Sequence, residues 1–177
     1  TYGEGIDPAA DNVSNKVFVE NAFIDVISPF QLPLSLRLGR QNLIYGTGFV
    51  LFDGQSQTAS TSIYFDGIKL SWDVTDLAKL DLIYVKDQEN QRADNPKDDI
   101  TLAGGYFTAK CPIMGGQQEV YVLNRSDQTL NKDIWMGGLR LSDKFDMGLD
   151  YSGEIAYQFG DFDDVNNIDQ DALGYKL

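Results

Sequence analysis

The sequence predicts an all-β protein, an antiparallel up-and-down transmembrane β-barrel, and three observations carry that prediction. The first is the stretch 147–160, MGLDYSGEIAYQFG. Leu149, Tyr151, Gly153, Ile155, Tyr157 and Phe159 alternate there with Asp150, Ser152, Glu154, Ala156 and Gln158. Successive side chains of a strand point to opposite faces, so this is a β period; a helix would scatter the aromatics around its axis. The second is length. Globular strands usually run about five or six residues, whereas a tilted strand that crosses a bilayer needs about 9–11. The third is the connections, which alternate between short turns (28–33, 75–78, 110–117, 143–146) and longer, more polar loops (44–61, 88–99, 126–132, 161–167). Outer-membrane barrels have short turns at the periplasmic end and longer loops outside.

Taken in order, residues 1–15 read as loop, from their Gly, Asp, Asn and Ser with one Pro. The run 17–27 (VFVENAFIDVI) is β-rich but alternates poorly, so its facing stays open. A Pro-bounded turn leads to 34–43, where Leu34, Leu36 and Leu38 oppose Ser35, Arg37, Gly39 and Gln41. The segment 44–61 is rich in Gly, Ser, Thr and Gln, with Tyr45, Phe49 and Phe52 embedded. In 62–74, Ile68, Leu70 and Trp72 oppose Lys69, Ser71 and Asp73; in 79–87, Leu80, Leu82 and Tyr84 oppose Asp81 and Asp87. The runs 100–109, 118–125 and 133–142 are three further strands, the last setting Leu139 and Leu141 against Arg140 and Ser142. After 147–160, a final strand covers 168–177. That makes about nine strands with no helix-period segment.

The totals agree with this class and narrow the function. The chain has 177 residues, 42% hydrophobic, and a net charge of −13, which allows one domain across 1–177. No run reaches the roughly 18 consecutive apolar residues of a transmembrane helix. There is no signal peptide at Thr1, so the chain is expected to be mature or a fragment. It contains no histidine, which removes Ser-His-Asp and Cys-His chemistry, His-ligated zinc and an imidazole switch. The single Cys111 precludes an internal disulfide framework. Strong acidity argues against nucleic acid as a partner.

Facing then follows from cost. A charge on the lipid side costs about 2–4 kcal/mol at the midplane, so the apolar set is assigned to outer-membrane lipid. That set is Leu34, Leu36, Leu38, Ile68, Leu70, Trp72, Leu80, Leu82, Tyr84, Leu139, Leu141, Leu149, Tyr151, Ile155, Tyr157 and Phe159. Trp72 falls near the turn end, and Tyr84, Trp135, Tyr157 and Phe159 near the loop end, as interfacial aromatic girdles require. The lumen set is Arg37, Gln41, Lys69, Asp73, Asp81, Arg140, Asp150, Glu154 and Gln158. Arg40 joins it only if a bulge at Gly39 re-aims it, since it otherwise shares the parity of Leu38. Arg140 is expected to pair across strands with Asp150 or Glu154. Such charges either select the solutes that pass or fill the lumen as a structural ion-pair ladder.

Three segments resemble the alginate-export family of bacterial outer-membrane barrels: LRLGRQNLIYG at 36–46, FDGIKLSW at 65–72 and DYSGEIAYQFG at 150–160, with GLRL at 138–141 in the same style. The resemblance implies a monomeric barrel of eighteen strands, a lumen rich in charge, and export of an anionic polysaccharide or passage of small polar or anionic solutes. It also suggests a basic constriction, for which Arg37, Arg40, Lys69 and Arg140 are the candidates. About nine strands are half of such a barrel, and a closing terminal aromatic is missing at Lys176-Leu177, so a partial chain is expected.

Other readings of the same residues are a soluble β-sandwich or barrel that binds carbohydrate, with the alternation turned inside out, and a surface-attached glycoside-active enzyme. Glu20 and Glu154 as a glycosidase pair have no fixed separation, and no enzyme and no cofactor are expected. Asp161, Asp163 and Asp164 offer carboxylates to Ca²⁺ but lack the Gly and final Glu of an EF-hand loop, so a solvated acidic loop is preferred.

Overall fold

Each strand of this protein hydrogen-bonds to the strand that follows it in sequence. The computed structural model describes residues 19, 21–51, 64–88, 100–111, 115–127, 131–145, 148–163 and 168–177. Its elements are β1 (Ala22–Ile27), a 3-10 turn (Pro29–Gln31), β2 (Leu34–Gln41), β3 (Tyr64–Thr75), β4 (Ala78–Gln88), β5 (Ile100–Cys111), β6 (Gly115–Asp127), β7 (Lys132–Lys144), β8 (Asp150–Asp163) and β9 (Ile168–Lys176). They form one antiparallel sheet in the order β1 to β9, with β1 and β9 at its edges.

Several strands run past their sequence-based ends. β6, β7 and β8 take in Ser126-Asp127, Asp143-Lys144 and Asp161–Asp163, which polar composition assigned to loops. Ladder hydrogen bonds use only backbone groups, so polar side chains at a strand end do not stop it. Among the connections, 42–63 and 89–99 are therefore long, while 128–131 and 164–167 are as short as the turns. The expected alternation of short and long connections rests on those two alone.

The register sorts side chains into rows running across the sheet. One row reads Leu34, Trp72, Leu80, Phe107, Val120, Leu139, Ile155, Tyr175. The next reads Val26, Leu36, Leu70, Leu82, Gly105, Val122, Gly137, Tyr157, Leu173. The third puts Tyr84, Trp135 and Phe159 level with Ile24, Leu38 and Ile68. Asp171, opposite Phe159, also belongs to it and hydrogen-bonds Tyr157. The fourth is polar: Arg40, Asp66, Lys86, Thr101, Ser126, Asp133, Asp161, Asp169. An apolar band thus gives way to a polar, mostly charged rim on the loop side, and the row just inside the rim carries Tyr84, Trp135 and Phe159 together with Asn124 and Asp171.

This outer face is open. Val122, Ile155 and Tyr175 are 51%, 47% and 73% exposed, so these rows are not packed against each other in a dry interior, as the soluble sandwich requires. The other, inner face holds the buried residues, among them Ile83, Val85, Tyr106, Tyr121 and Leu123. They are covered by chain from the β2–β3 connection, residues 42–51, which includes buried Leu43 and Leu51.

Placing a cation in the middle of the apolar rows should cost what a bilayer charges for it. Val122→Arg should destabilise the vesicle-folded protein by about 2–4 kcal/mol, and Ser126→Arg, at the rim, by about 0–1. Denaturant titration in lipid vesicles reads both. Equal costs at the two positions would show that the band does not meet hydrocarbon.

Candidate functional site

The inner face is built from strand positions of the opposite parity. On β3 to β6 these are Lys69 and Ser71, Asp81 and Ile83, Tyr106 and Thr108, and Glu119 and Tyr121; β7 and β8 add Arg140 and Glu154. Two inner rows matter most. One runs Lys79, Thr108, Glu119, Arg140, Glu154, Lys176; its neighbour runs Ser35, Ser71, Asp81, Tyr106, Tyr121, Gly138, Ala156, Gly174.

The segment 42–51 lies across these rows as a strap. Tyr45 stacks on Tyr106 with ring centroids 4.2 Å apart, and Tyr106 stacks on Tyr121 at 5.2 Å. Each phenol donates to a carboxylate: Tyr45 to Asp81 at 2.8 Å, Tyr106 to Glu119, and Tyr121 to Glu154 at 2.9 Å. Gly138 makes room for the last ring, because a Cβ there would sit 2.2 Å from it. Gly46 turns the strap with φ +57, and a Cβ on it would come within 2.9 Å of the Arg140 side chain. At the far edge Lys176 donates to Thr47 at 3.1 Å, which ties the strap to β9. Burial and then the Asp81 carboxylate push ionisation of the Tyr45 hydroxyl far above the ordinary tyrosine range. It remains a donor under alkaline conditions in which exposed tyrosines ionise.

Arg140 sits at the centre. It is opposite Glu154 in register, yet its ion pair is with Glu119 on the other flank, and its second guanidinium nitrogen reaches Ser152 at 3.3 Å. The expected Arg140–Glu154 pair is therefore corrected: Glu154 is held by Tyr121 instead. Gln117 also donates to Glu119. One oxygen of Glu154 and the Arg140 Nε are buried without a hydrogen bond.

The remaining lumen candidates lie as follows. Arg37 is on the inner face and grips Asp25 of β1 through two bonds of 2.7 Å, with its guanidinium 3.7 Å from the Phe23 ring centroid. Lys69 is its neighbour in register. Asp73 is opposite Lys79. Gln41 is fully buried, its amide facing the Gly39 and Gly67 carbonyls at 3.4 Å. Gln158 lies beside Met136 and accepts from Gln170. Asp150 is on the turn side, well exposed, 3.5 Å from Lys144. Arg40 does not belong to this set. Gly39 has φ +123 but the ladder keeps step through it, so Arg40 stays on the face of Leu38 and pairs with Asp66 in the rim row at 2.8 Å. Leu149, expected among lipid-facing strand residues, lies in the β7–β8 turn. Asp161 and Asp163 belong to β8, Asp164 and Glu20 lie outside the described residues, and no group of three or more potential metal ligands occurs among the described residues.

Sequence reasoning missed Glu119, Tyr45, Tyr106 and Tyr121. The strands of Glu119, Tyr106 and Tyr121 were legible, and opposite parity to Val120 and Val122 was the available signal for Glu119 and Tyr121. Nothing local tells that 42–51 turns inward.

A long-stranded up-and-down sheet, apolar and open on one face and ionic on the other, is the wall of a transmembrane β-barrel. The family model described as alginate export matches residues 5–177. The chain belongs to the alginate export family, whose members are β-barrels of the bacterial outer membrane, and this protein is located there. Membership makes it a component of outer-membrane export of polysaccharide, a transport function rather than an enzymatic one. Comparisons with curated proteins and with solved structures gave no match.

Removing one partner of a buried ion pair strands the other, at a typical cost of about 3–5 kcal/mol. Glu119→Ala should show a loss of that order in denaturant unfolding. Glu119→Gln with Arg140→Met should recover part of it. If the single and double variants are equally unstable, the pair does not organise the inner face.

Proposed function

We propose that this chain forms the wall of an outer-membrane channel for an anionic polysaccharide, that small polar or anionic solutes share the path, and that the strap narrows it. The observation that supports this reading most is the strap itself: ten residues of loop, 42–51, held on the ionic face by Tyr45, Thr47 and Gly46. A wall segment carried inside the bore reduces its section and brings backbone and tyrosine groups to the solute. Lipid is the partner of the outer rows.

Selectivity in this proposal comes from what is left of the basic set. Arg140 and Arg37 are neutralised by Glu119 and Asp25, and Arg40 faces the other way. Lys69 lies next to Arg37 in register, so two cations stand side by side where β2 meets β3, with Asp25 gripped by Arg37 and Asp81 diagonally across from Lys69 on β4. Two adjacent cations in a confined aqueous path offer a contact point to the carboxylates of a passing polyanion even when the whole chain is acidic.

Planar-bilayer recordings test both parts. Deleting residues 44–50 should raise single-channel conductance several-fold, and Lys69→Glu should shift selectivity toward cations and weaken block by oligouronates. Unchanged conductance on deletion, with block insensitive to Lys69→Glu, would contradict the proposal.

A further inference from the structure

Beside the strap the inner face has a cavity of about 340 Å³ that polysaccharide passage does not explain. Val50 and Leu51 line it from the strap, and Phe65, Leu102, Leu123 and Met136 from the sheet. An engineered apolar cavity of about 150 Å³ holds benzene, so this one has room for a chain of about ten carbons. Hydroxyl-rich polymers gain nothing from such walls, whereas each Å² of hydrocarbon buried there gains about 25 cal/mol.

One charged side chain lines the cavity, Arg125. Its register neighbours are Leu102 and Ile134. Arg37, Arg40 and Arg140 each hold a carboxylate; among the described residues Arg125 holds none. Asp127, the next residue along on the same face, is engaged in an interaction of its own. The one other polar side chain in the lining is the Gln158 amide, already used by Met136 and Gln170. An apolar cavity with a few placed polar groups is the usual form of a small-molecule site, and a guanidinium fork matches a carboxylate in two parallel bonds.

We propose that this cavity is a binding site for a single-chain amphiphile with an anionic head, a medium-chain carboxylate whose tail fills the space under Val50 and Leu51 and whose head is held by Arg125. The site is separate from the Lys69 path, so it stands whether or not polyanions are exported.

The test uses the full chain in nanodiscs of zwitterionic phospholipid, with radiolabelled dodecanoate and protein-free discs as the blank. Saturable binding near one equivalent per chain is expected. Arg125→Gln should weaken it about tenfold or more, one lost charge-assisted contact, while Arg125→Lys keeps most of it. Leu123→Trp should abolish it, and the heat-modifiable gel shift of the folded barrel reports whether that variant folds. Dodecanol should bind at least about tenfold more weakly, and excess phosphatidylglycerol in the disc should compete poorly, which separates a free carboxylate from a lipid headgroup. Binding no greater than to empty discs, binding unaffected by Arg125→Gln, or dodecanol binding as tightly as dodecanoate would each overturn the proposal.

Discussion

An extended chain inside hydrocarbon must give each backbone N–H and C=O to a neighbouring strand, because no water is there to take them. That requirement fixes the pairing of each strand with the next, and pairing fixes the rows. Once Leu36 stands opposite Leu70 and Leu70 opposite Leu82, side-chain alternation leaves no freedom: a slip of one residue in β3 would turn Lys69, and one in β4 would turn Asp81, to the apolar face. The aromatic row of Tyr84, Trp135 and Phe159 and the charged rim beyond it then follow from register alone.

The inner face answers a different demand. Its charges are closely matched, Arg140 with Glu119, Arg37 with Asp25 and Lys79 with Asp81, and three phenols add a donor each to Asp81, Glu119 and Glu154. The strap completes this arrangement from outside the sheet. Tyr45 brings a buried donor to Asp81 and a ring to the Tyr106–Tyr121 stack, while Leu43 and Leu51 cover Ile83, Val85 and Leu123. Without that cover these apolar side chains would face the aqueous bore. The inner face is therefore half ionic and half greasy, and the greasy half leaves the cavity beside Arg125.

Much of this was legible in the sequence. Strands of period two need only local information, so all nine elements, and the fact that Leu70, Leu82, Leu139, Ile155 and Tyr157 share one face, could be read directly. Strand ends were less legible, because Ser126, Asp143 and Asp161 are polar yet paired. The partner of Arg140 depends on which flank offers the better geometry, and alternation supplies two candidates without choosing between them. Arg40 was decided by whether Gly39 bulges, a backbone detail that its identity leaves open. The inward path of 42–51 is a long-range event: Gly46 meets Arg140 and Thr47 meets Lys176, and neither contact has a local signal.

The central claim is that the leucine and tyrosine rows meet lipid and the ionic rows do not. Single cysteines at the consecutive pairs Phe107/Thr108 and Leu141/Ser142, in a Cys111→Ser background, can carry a fluorophore in vesicles of brominated phospholipid. Strong quenching at Phe107 and Leu141 with little at Thr108 and Ser142 is the predicted result. Quenching that is equal within each pair, or stronger at Thr108 and Ser142, would contradict it.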